Sequence, residues 1–479
     1  MVDSKHGRSA ADRLTAAVKS YDIRGLVDVD LTDQIVEAIG AAFVDELGAA
    51  GADVVVGHDM RDSSPRFAAA FGAGVRARGG NVISIGLCST DESYFASGSM
   101  DAAAAMFTAS HNPSAYNGIK LSRPGAQSLS FDTGLGAIRD RAIAFLTAGI
   151  PAAEAGGTER TVDVLADYAR ALRGFVPLEQ IRPLRIVVDA GNGMGGMTVP
   201  AVLGDAAGLE KLPVEIIPMY FELDGTFPNH EANPLDPANL VDLTRAVVEH
   251  GADAGLAFDG DADRCFVVDE NGNPVSPSAV TAIVAVREIA RERENGDDSQ
   301  IQVLHNLITS RFVPEVIADH GAVPVRTRVG HSLIKAEMRQ TGAIFGGEHS
   351  AHYYFRDFWS ADNGMLAAMH VLAELGSQPL TLSEFAAEFS PYMQSGEINS
   401  SVDDVPLALA RIVDAFQTRA EFDEMDGLTA TGITPAGEPF WWFNVRPSNT
   451  EPLLRLNVEG EDAVTMEAVR DEVLALIRA

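Results

Sequence analysis

A chain of 479 residues, 46% of them hydrophobic, has room for three or four domains of roughly 100–200 residues, each with its own core. It carries 68 acidic against 36 basic residues, a formal charge of −32, which repels nucleic acid and anionic membranes. Any anion site must therefore be built locally from Arg, Lys and backbone N–H groups. Two cysteines, Cys88 and Cys265, exclude a disulfide framework, and the sequence shows neither an apolar leader nor an 18-residue apolar run. A cytoplasmic protein without nucleic-acid or membrane partners is expected.

In chain order, "YDIRG" (21–25) leaves Arg24 in a loop between apolar segments. "ADVVVGHD" (52–59) reads as a strand, "PRFAAAFGAGVRARGG" as a helix and "NVISIG" (81–86) as a second strand. The loop "GHDMRDSSP" (57–65) holds Arg61, and such loop arginines, taken singly, are more often solvated charges. The apolar run "DAAAAMFTA" then breaks into "SHNPSAYNG", where Asn-Pro and Asn-Gly mark turns. Ser110 stands at the break, His111 follows it, and Lys120 lies ten residues on. A scaffolded loop is a common place for a functional side chain, although a turn serine can equally cap a backbone N–H.

A second set of strands begins at "LRIVVDAGNG" (184–193), continues through "VEIIPMY" (214–220) and reaches "AGLAFDGDADR" (254–264). "GNGMGG" fits G-x-G-x-x-G through Gly191, Gly193 and Gly196, with Glu215 roughly where a ribose-binding acid would stand. It reads as a tight strand-to-helix turn, with dinucleotide binding the minor alternative. A third set comprises "IQVLHNL" (301–307), "AVPVRTRVG" (322–330) and "GAIFGGE" (342–348); "VGHSLIK" (329–335) opens a helix near His331. Strands alternating with helices imply βαβ units and mostly parallel sheets. The end differs: helix, strand, turn, strand and terminal helix suggest a smaller α+β domain.

Three short stretches carry chemistry. "DGDADR" sets Asp259, Asp261 and Asp263 at alternate positions after a buried strand, and carboxylates so close need a cation. Oxygen-only ligands favour Mg²⁺ or Ca²⁺ over zinc, and three of them leave coordination positions for a phosphate oxygen. Arg264 adds an anion contact. "GEHSAH" (347–352) places Glu348 and Ser350 where they can grip vicinal sugar hydroxyls. "RPSNTEP" (446–452) offers Arg446, Ser448, Asn449 and Thr450 as a compact phosphate nest.

In this order the motifs resemble those of the α-D-phosphohexomutases, specifically the bacterial phosphomannomutase/phosphoglucomutase branch, over almost the whole chain. "TASHNP" resembles the phosphoserine loop, "DGDADR" the metal loop, "GEHSAH" the sugar loop and "RPSNTEP" the phosphate loop; "DAGNGMGG" and "FPNHEANPLDPANL" also resemble family stretches. The resemblance implies an α/β fold of four domains around a central cleft, three of βαβ type with mixed sheets and a smaller α+β C-terminal domain. The expected divisions are 1–155 (phosphoserine), 156–268 (metal), 269–380 (sugar) and 381–479 (phosphate). It implies Ser110 as phosphoserine and as a metal ligand beside Asp259, Asp261 and Asp263. His111, Lys120 and Arg264 serve the transfer; Arg24 and His331 are counted with them, and Tyr21 with the substrate contacts of Glu348, Ser350, Arg446, Ser448, Asn449 and Thr450. Mg²⁺, a hexose 1,6-bisphosphate intermediate and activator, hexose phosphate substrates and no obligate protein partner complete the expectation. A phosphoglucosamine mutase and an inactive sugar-phosphate sensor are the alternatives. Two departures stand out. "HNLITSR" lacks a lysine many members have, leaving Asn306 or Arg311 as substitutes; Ala351 replaces a usual glycine, with His349 an uncommon neighbour.

Overall fold

Strand alternation in the first half of the chain folds into two mixed sheets that carry the Ser110 loop and the acidic loop. The computed structural model describes residues 8–296, 300–434, 437, 439–447 and 453–479. The chain divides into two compact units. The first is Met1–Val275 with Lys335–Phe345 and Ser350–Ser383; the second is Ser276–Ile334 with Gly346–His349 and Glu384–Ala479.

The first sheet of the first unit has the strand order Ile23–Leu26, Tyr116–Arg123, Ala103–Phe107, Asp53–His58, Asn81–Leu87, Glu159–Thr161. Its middle strands are parallel, as alternation with the helices Ser64–Ala77 and Thr90–Ser99 predicts. Ala103–Phe107 is buried at every position, so it reads as an unbroken apolar run. Tyr116–Arg123 is the element the sequence reading left as loop. It turns back antiparallel on Ala103–Phe107 and sets Lys120 opposite Met106. The core beneath includes Phe43, Phe71 and Phe107, successive ring centroids 5.6 Å apart.

The second sheet runs Pro274–Val275, Cys265–Asp269, Ala254–Phe258, Leu184–Asp189, Val214–Met219. Ala254–Phe258 is parallel to Leu184–Asp189 but antiparallel to Cys265–Asp269, with Phe258 opposite Cys265. The acidic stretch is thus a hairpin connection. Also in the first unit, Tyr353–Phe355 pairs antiparallel with Ala361–Asp362.

In the second unit, Gln302–Asn306 and Val323–Thr327 are parallel neighbours. Its last part is the expected α+β domain, an antiparallel sheet ordered Met393–Gln394, Leu453–Gly460, Pro439–Pro447, Leu428–Ile433, Ala420–Asp423. The helices Val405–Phe416 and Ala463–Arg478 cover it through Ile412, Phe416, Val469 and Val473. Both cysteines are buried and free. Among the described residues no helix is long and apolar enough to cross a membrane.

Candidate active site

Two loops leave the ends of fully buried strands and meet. Ser110 lies three residues beyond Phe107, and Asp259 directly follows Phe258. Ser110 has φ +50° and Ala262 φ +61°, left-handed conformations that non-glycine residues adopt only when their surroundings hold them there. The Ser110 hydroxyl donates to Asp259 Oδ2 at 2.8 Å and lies 3.1 Å from His111 Nδ1. Arg264 reaches Ser110 Oγ at 3.3 Å, donates through Nε and Nη2 to Asp259 at 2.9 and 2.8 Å, and also bonds His111 Nδ1. Lys120 Nζ bridges Asp261 Oδ2 at 2.7 Å and Asp263 Oδ2 at 2.6 Å. Thr90 Oγ1 also donates to Asp261, at 2.6 Å.

The charges do not balance. Three buried carboxylates face two cations, Lys120 and Arg264, which leaves one negative charge over. Burial raises Asp259 and, together with the charge of Asp261, raises Asp263 well above the usual carboxylate range. At Asp261 the contact with Lys120 outweighs burial, and its pKa falls. Burial also acts to lower Lys120, but Asp261 and Asp263 overcome it and hold the ammonium well above the ordinary lysine value. His111 is held far below its usual value by burial and by the charges of Arg264 and Arg24, so it is neutral. Asp261 Oδ1 and Asp263 Oδ1 are buried without a hydrogen-bond partner. One oxygen from each of the three aspartates lies within 4.8 Å of the others. Orphaned, clustered carboxylate oxygens with surplus negative charge fit a hard divalent cation.

The glycine motif explains itself here. A Cβ on Gly260 would lie 2.5 Å from the Ser110 carbonyl oxygen, and a Cβ on Gly193 would lie 2.6 Å from the Gly260 carbonyl oxygen. Met194 N–H donates to that same oxygen at 2.9 Å. "GNGMGG" therefore braces the acidic loop, which in turn rests on the Ser110 backbone; its glycines answer to protein contacts. "FPNHEANPL" supports it from beneath, with His230 Nε2 2.9 Å from Asp189 and Asn229 donating to Asn192 at 2.8 Å.

All four domain families of one enzyme group match the chain in order. Residues 15–141, 166–272 and 277–392 match phosphoglucomutase/phosphomannomutase alpha/beta/alpha domains I, II and III, and residues 397–476 match its C-terminal domain. The chain belongs to the phosphoglucomutase/phosphomannomutase family. It is 41% identical to the phosphohexose mutases of Xanthomonas campestris over 96% of its own length and 99% of theirs. It is 37% identical to the phosphomannomutase of Salmonella typhimurium, with 96% and 98% covered. Among solved structures, a phosphoglucomutase/phosphomannomutase family protein from Burkholderia thailandensis superposes with a TM-score of 0.83 at 28% identity, covering 98% of this chain and 97% of that one.

The other expected site residues distribute as follows. Arg24, in the first unit, pairs with Asp22 at 2.6 Å and bonds the Asn112 side chain, two residues beyond Ser110; Tyr21 is half-buried near it in sequence. Ser350 Oγ lies 2.9 Å from His352 Nδ1 in the same unit, and Ala351 has φ +62°, which accounts for glycine being usual there. In the second unit Glu348 is buried and accepts from Asn306 Nδ2 at 3.2 Å and from Gly330 N–H at 3.0 Å. Of the two substitutes, Asn306 thus touches Glu348, while the Arg311 guanidinium carbon lies 3.8 Å from the Tyr392 ring centroid. His331 begins the helix His331–Thr341, but its side chain is outside the described part. Arg446 pairs with Glu397 at 3.0 Å; Ser448, Asn449 and Thr450 lie outside the described residues.

Sequence reasoning passed over four partners. Thr90 could have been found, because "STDE" (89–92) is a capping box, with Ser89 accepting from Glu92 N–H at the start of helix Thr90–Ser99. Arg455 sits opposite Arg446 on the adjoining strand and shares Glu397 with it at 3.3 Å. Lys335, fully buried, pairs with Asp362 and lies 3.1 Å from the Tyr94 hydroxyl. Arg61, expected in solvent, is 2% exposed.

Proposed function

We propose that this chain is a phosphohexomutase that moves a phosphoryl group reversibly between O1 and O6 of mannose and glucose phosphates, with Ser110 as phosphoserine. The observation that carries this reading is the Ser110 hydroxyl held between Asp259 and Arg264, with Lys120 and two orphaned carboxylate oxygens in the same cluster. Phosphoryl transfer asks for positioning and charge neutralisation more than covalent chemistry. Asp259, Asp261 and Asp263 would hold Mg²⁺ together with a phosphate oxygen on Ser110, and the ion would neutralise charge on the transferring group. Arg264 orients and neutralises that group. Neutral His111, 3.1 Å from Ser110 Oγ, is the candidate to accept a proton, and the Lys120 ammonium, paired with Asp261 and Asp263, is the candidate to donate one.

Phosphoserine gives its phosphoryl group to the free hydroxyl of a hexose monophosphate. The resulting 1,6-bisphosphorylated sugar turns and returns its other phosphate to Ser110, so the same bisphosphate also activates dephosphorylated enzyme. While one end reacts, Arg446, Ser448, Asn449 and Thr450 would hold the distal phosphate, and Glu348 and Ser350 would grip O3 and O4. A half-turn that exchanges O1 with O6 roughly exchanges O3 with O4, so one grip serves both halves of the reaction. C2 is left unread, and mannose differs from glucose only there. The phosphomannomutase name of the Salmonella relative accords with this range. Comparative kcat/KM for mannose, glucose and glucosamine phosphates tests it. The expected result is mannose and glucose within about two powers of ten, or ~2.7 kcal/mol. A strong preference for glucosamine phosphate would refute the substrate assignment.

A further inference from the structure

Arg61 lies in a loop of the first sheet, far in sequence from Ser110. Its side chain is 1% exposed, and all five of its guanidinium N–H groups are spent. Nε donates to Asp59 at 3.2 Å. Nη1 donates to the carbonyls of Pro113 and Tyr116, both at 3.0 Å. Nη2 donates to the carbonyls of Ser110 at 2.8 Å and Asn112 at 2.6 Å. Four of the five bonds thus end on backbone oxygens of the phosphoserine loop. Asp59, fully buried, is itself fixed by the Ser64 hydroxyl at 2.6 Å and by Arg61 N–H at 3.0 Å. The Phe227 ring centroid lies 5.1 Å from the guanidinium carbon, and Gly225 packs against the Arg61 backbone.

Within this sharply turning segment the Pro113 carbonyl accepts one turn bond, from Tyr116 N–H at 3.0 Å, and Tyr116 opens the strand paired with Ile23–Leu26, while Arg61 supplies bonds to the Ser110 and Asn112 carbonyls of the turn itself. The segment also holds Ser110 at φ +50°, a conformation that would relax without external support. A planar fork of donors suits such a set, whereas an ammonium has three donors on a flexible stem.

We infer that Arg61 is the positioning residue of the nucleophile: it clamps the loop from behind, fixing the left-handed Ser110 so that its Oγ points at Asp259 and Arg264. The inference rests on the mutase reading above. Its four bonds to the loop all end on backbone carbonyl oxygens, so its loss should slow transfer and leave hexose phosphate affinity nearly unchanged.

The test is steady-state kinetics and thermal midpoints of Arg61→Lys, Arg61→Ala and Asp59→Asn in the full chain. Arg61→Lys should lose about 100-fold in kcat, as expected for a displacement near 1 Å, with KM within about threefold. Arg61→Ala should regain at least about tenfold in kcat with millimolar guanidinium and nothing with ammonium, because only the planar ion restores the fork. Asp59→Asn, which keeps the guanidinium but weakens its anchor, should lose about tenfold in kcat at constant KM, and it decides the matter if the Arg61 variants do not fold. An Arg61→Lys or Asp59→Asn protein with kcat within twofold of the parent overturns the inference. So does a loss in which kcat and thermal midpoint fall together and guanidinium restores both or neither. Absence of mutase activity in the parent protein would instead refute the proposed function.

Discussion

Gly260→Ala perturbs the contact between the acidic loop and the nucleophile by a single methyl group. The new Cβ would lie 2.5 Å from the Ser110 carbonyl oxygen, and real Cβ atoms essentially never come closer than 3.0 Å to such an atom. One loop must therefore give by at least about 0.5 Å, and neither is free to do so cheaply. Ser110 is pinned by Arg61 on one side and by Thr108 Oγ1, which accepts from its N–H at 2.9 Å, on the other. Gly260 is pinned by Met194 and by the close approach of Gly193. A shift of this size separates Ser110 from Asp259 and Arg264. It should lower kcat by about 10- to 100-fold, or ~1.4–2.7 kcal/mol of transition-state stabilisation. Overpacking should lower stability by about 1–3 kcal/mol, within what the fold can bear. A coupled assay of glucose 1-phosphate conversion reads kcat, and chemical denaturation reads stability. Gly174→Ala is the control: it lies in the helix Leu165–Phe175 with nothing within 4 Å of its would-be Cβ, so it should gain about 0.5–1 kcal/mol and keep full activity. A folded Gly260→Ala enzyme with kcat within twofold of the parent would show that the acidic loop does not position Ser110.

Chelation should abolish turnover and added Mg²⁺ restore it, with Asp261→Asn needing more Mg²⁺ for half-maximal activity; full activity of metal-free protein would contradict the cation site. Arg446→Ala should raise KM more than it lowers kcat and release bisphosphorylated sugar into solution, read by chromatography of the reaction mixture; an unchanged KM without release would count against a role in holding the distal phosphate. Buried Asp91 and Glu92 are pushed up, chiefly by burial, to about 7 and about 8, so the folded state binds protons that the unfolded chain gives up near pH 4. Stability should therefore fall as pH rises from about 4 through about 8, by at most roughly 5 kcal/mol per carboxylate. Glu92→Gln, whose amide oxygen can still accept the Ser89 N–H, should flatten that slope in denaturation midpoints taken across pH; an unaltered slope would rule Glu92 out as a source of it.

The strands were legible where burial writes a continuous apolar run, as in "AAAMF" and "AGLAF", and the acidic and phosphoserine loops were legible because both interrupt such runs. Strand Tyr116–Arg123 was not, because "YNGIKLSR" opens on turn formers and only its pairing with Ala103–Phe107 makes it a strand. That pairing is what brings Lys120 to the aspartates, so the lysine's place could be read only through the family resemblance. Arg61 was misread for a related reason. An arginine flanked by Asp, Met and Ser looks solvated in one dimension, and the carbonyls that bury it come from a loop some fifty residues away. The glycine motif fitted a cofactor template because tight backbone approach asks for glycine whether the neighbour is a pyrophosphate or, as here, the carbonyl of Gly260.

The central claim is that Ser110 carries the phosphoryl group in transit. Intact mass of the protein after incubation with glucose 1,6-bisphosphate, followed by peptide mapping, measures this directly. The expected result is an added mass of one phosphoryl group on Ser110, lost when glucose 6-phosphate is supplied and recovered as bisphosphorylated sugar, with none of this in Ser110→Ala. A parent enzyme that turns over hexose phosphates without ever acquiring that mass, or an Ser110→Ala variant that turns over normally, would contradict it.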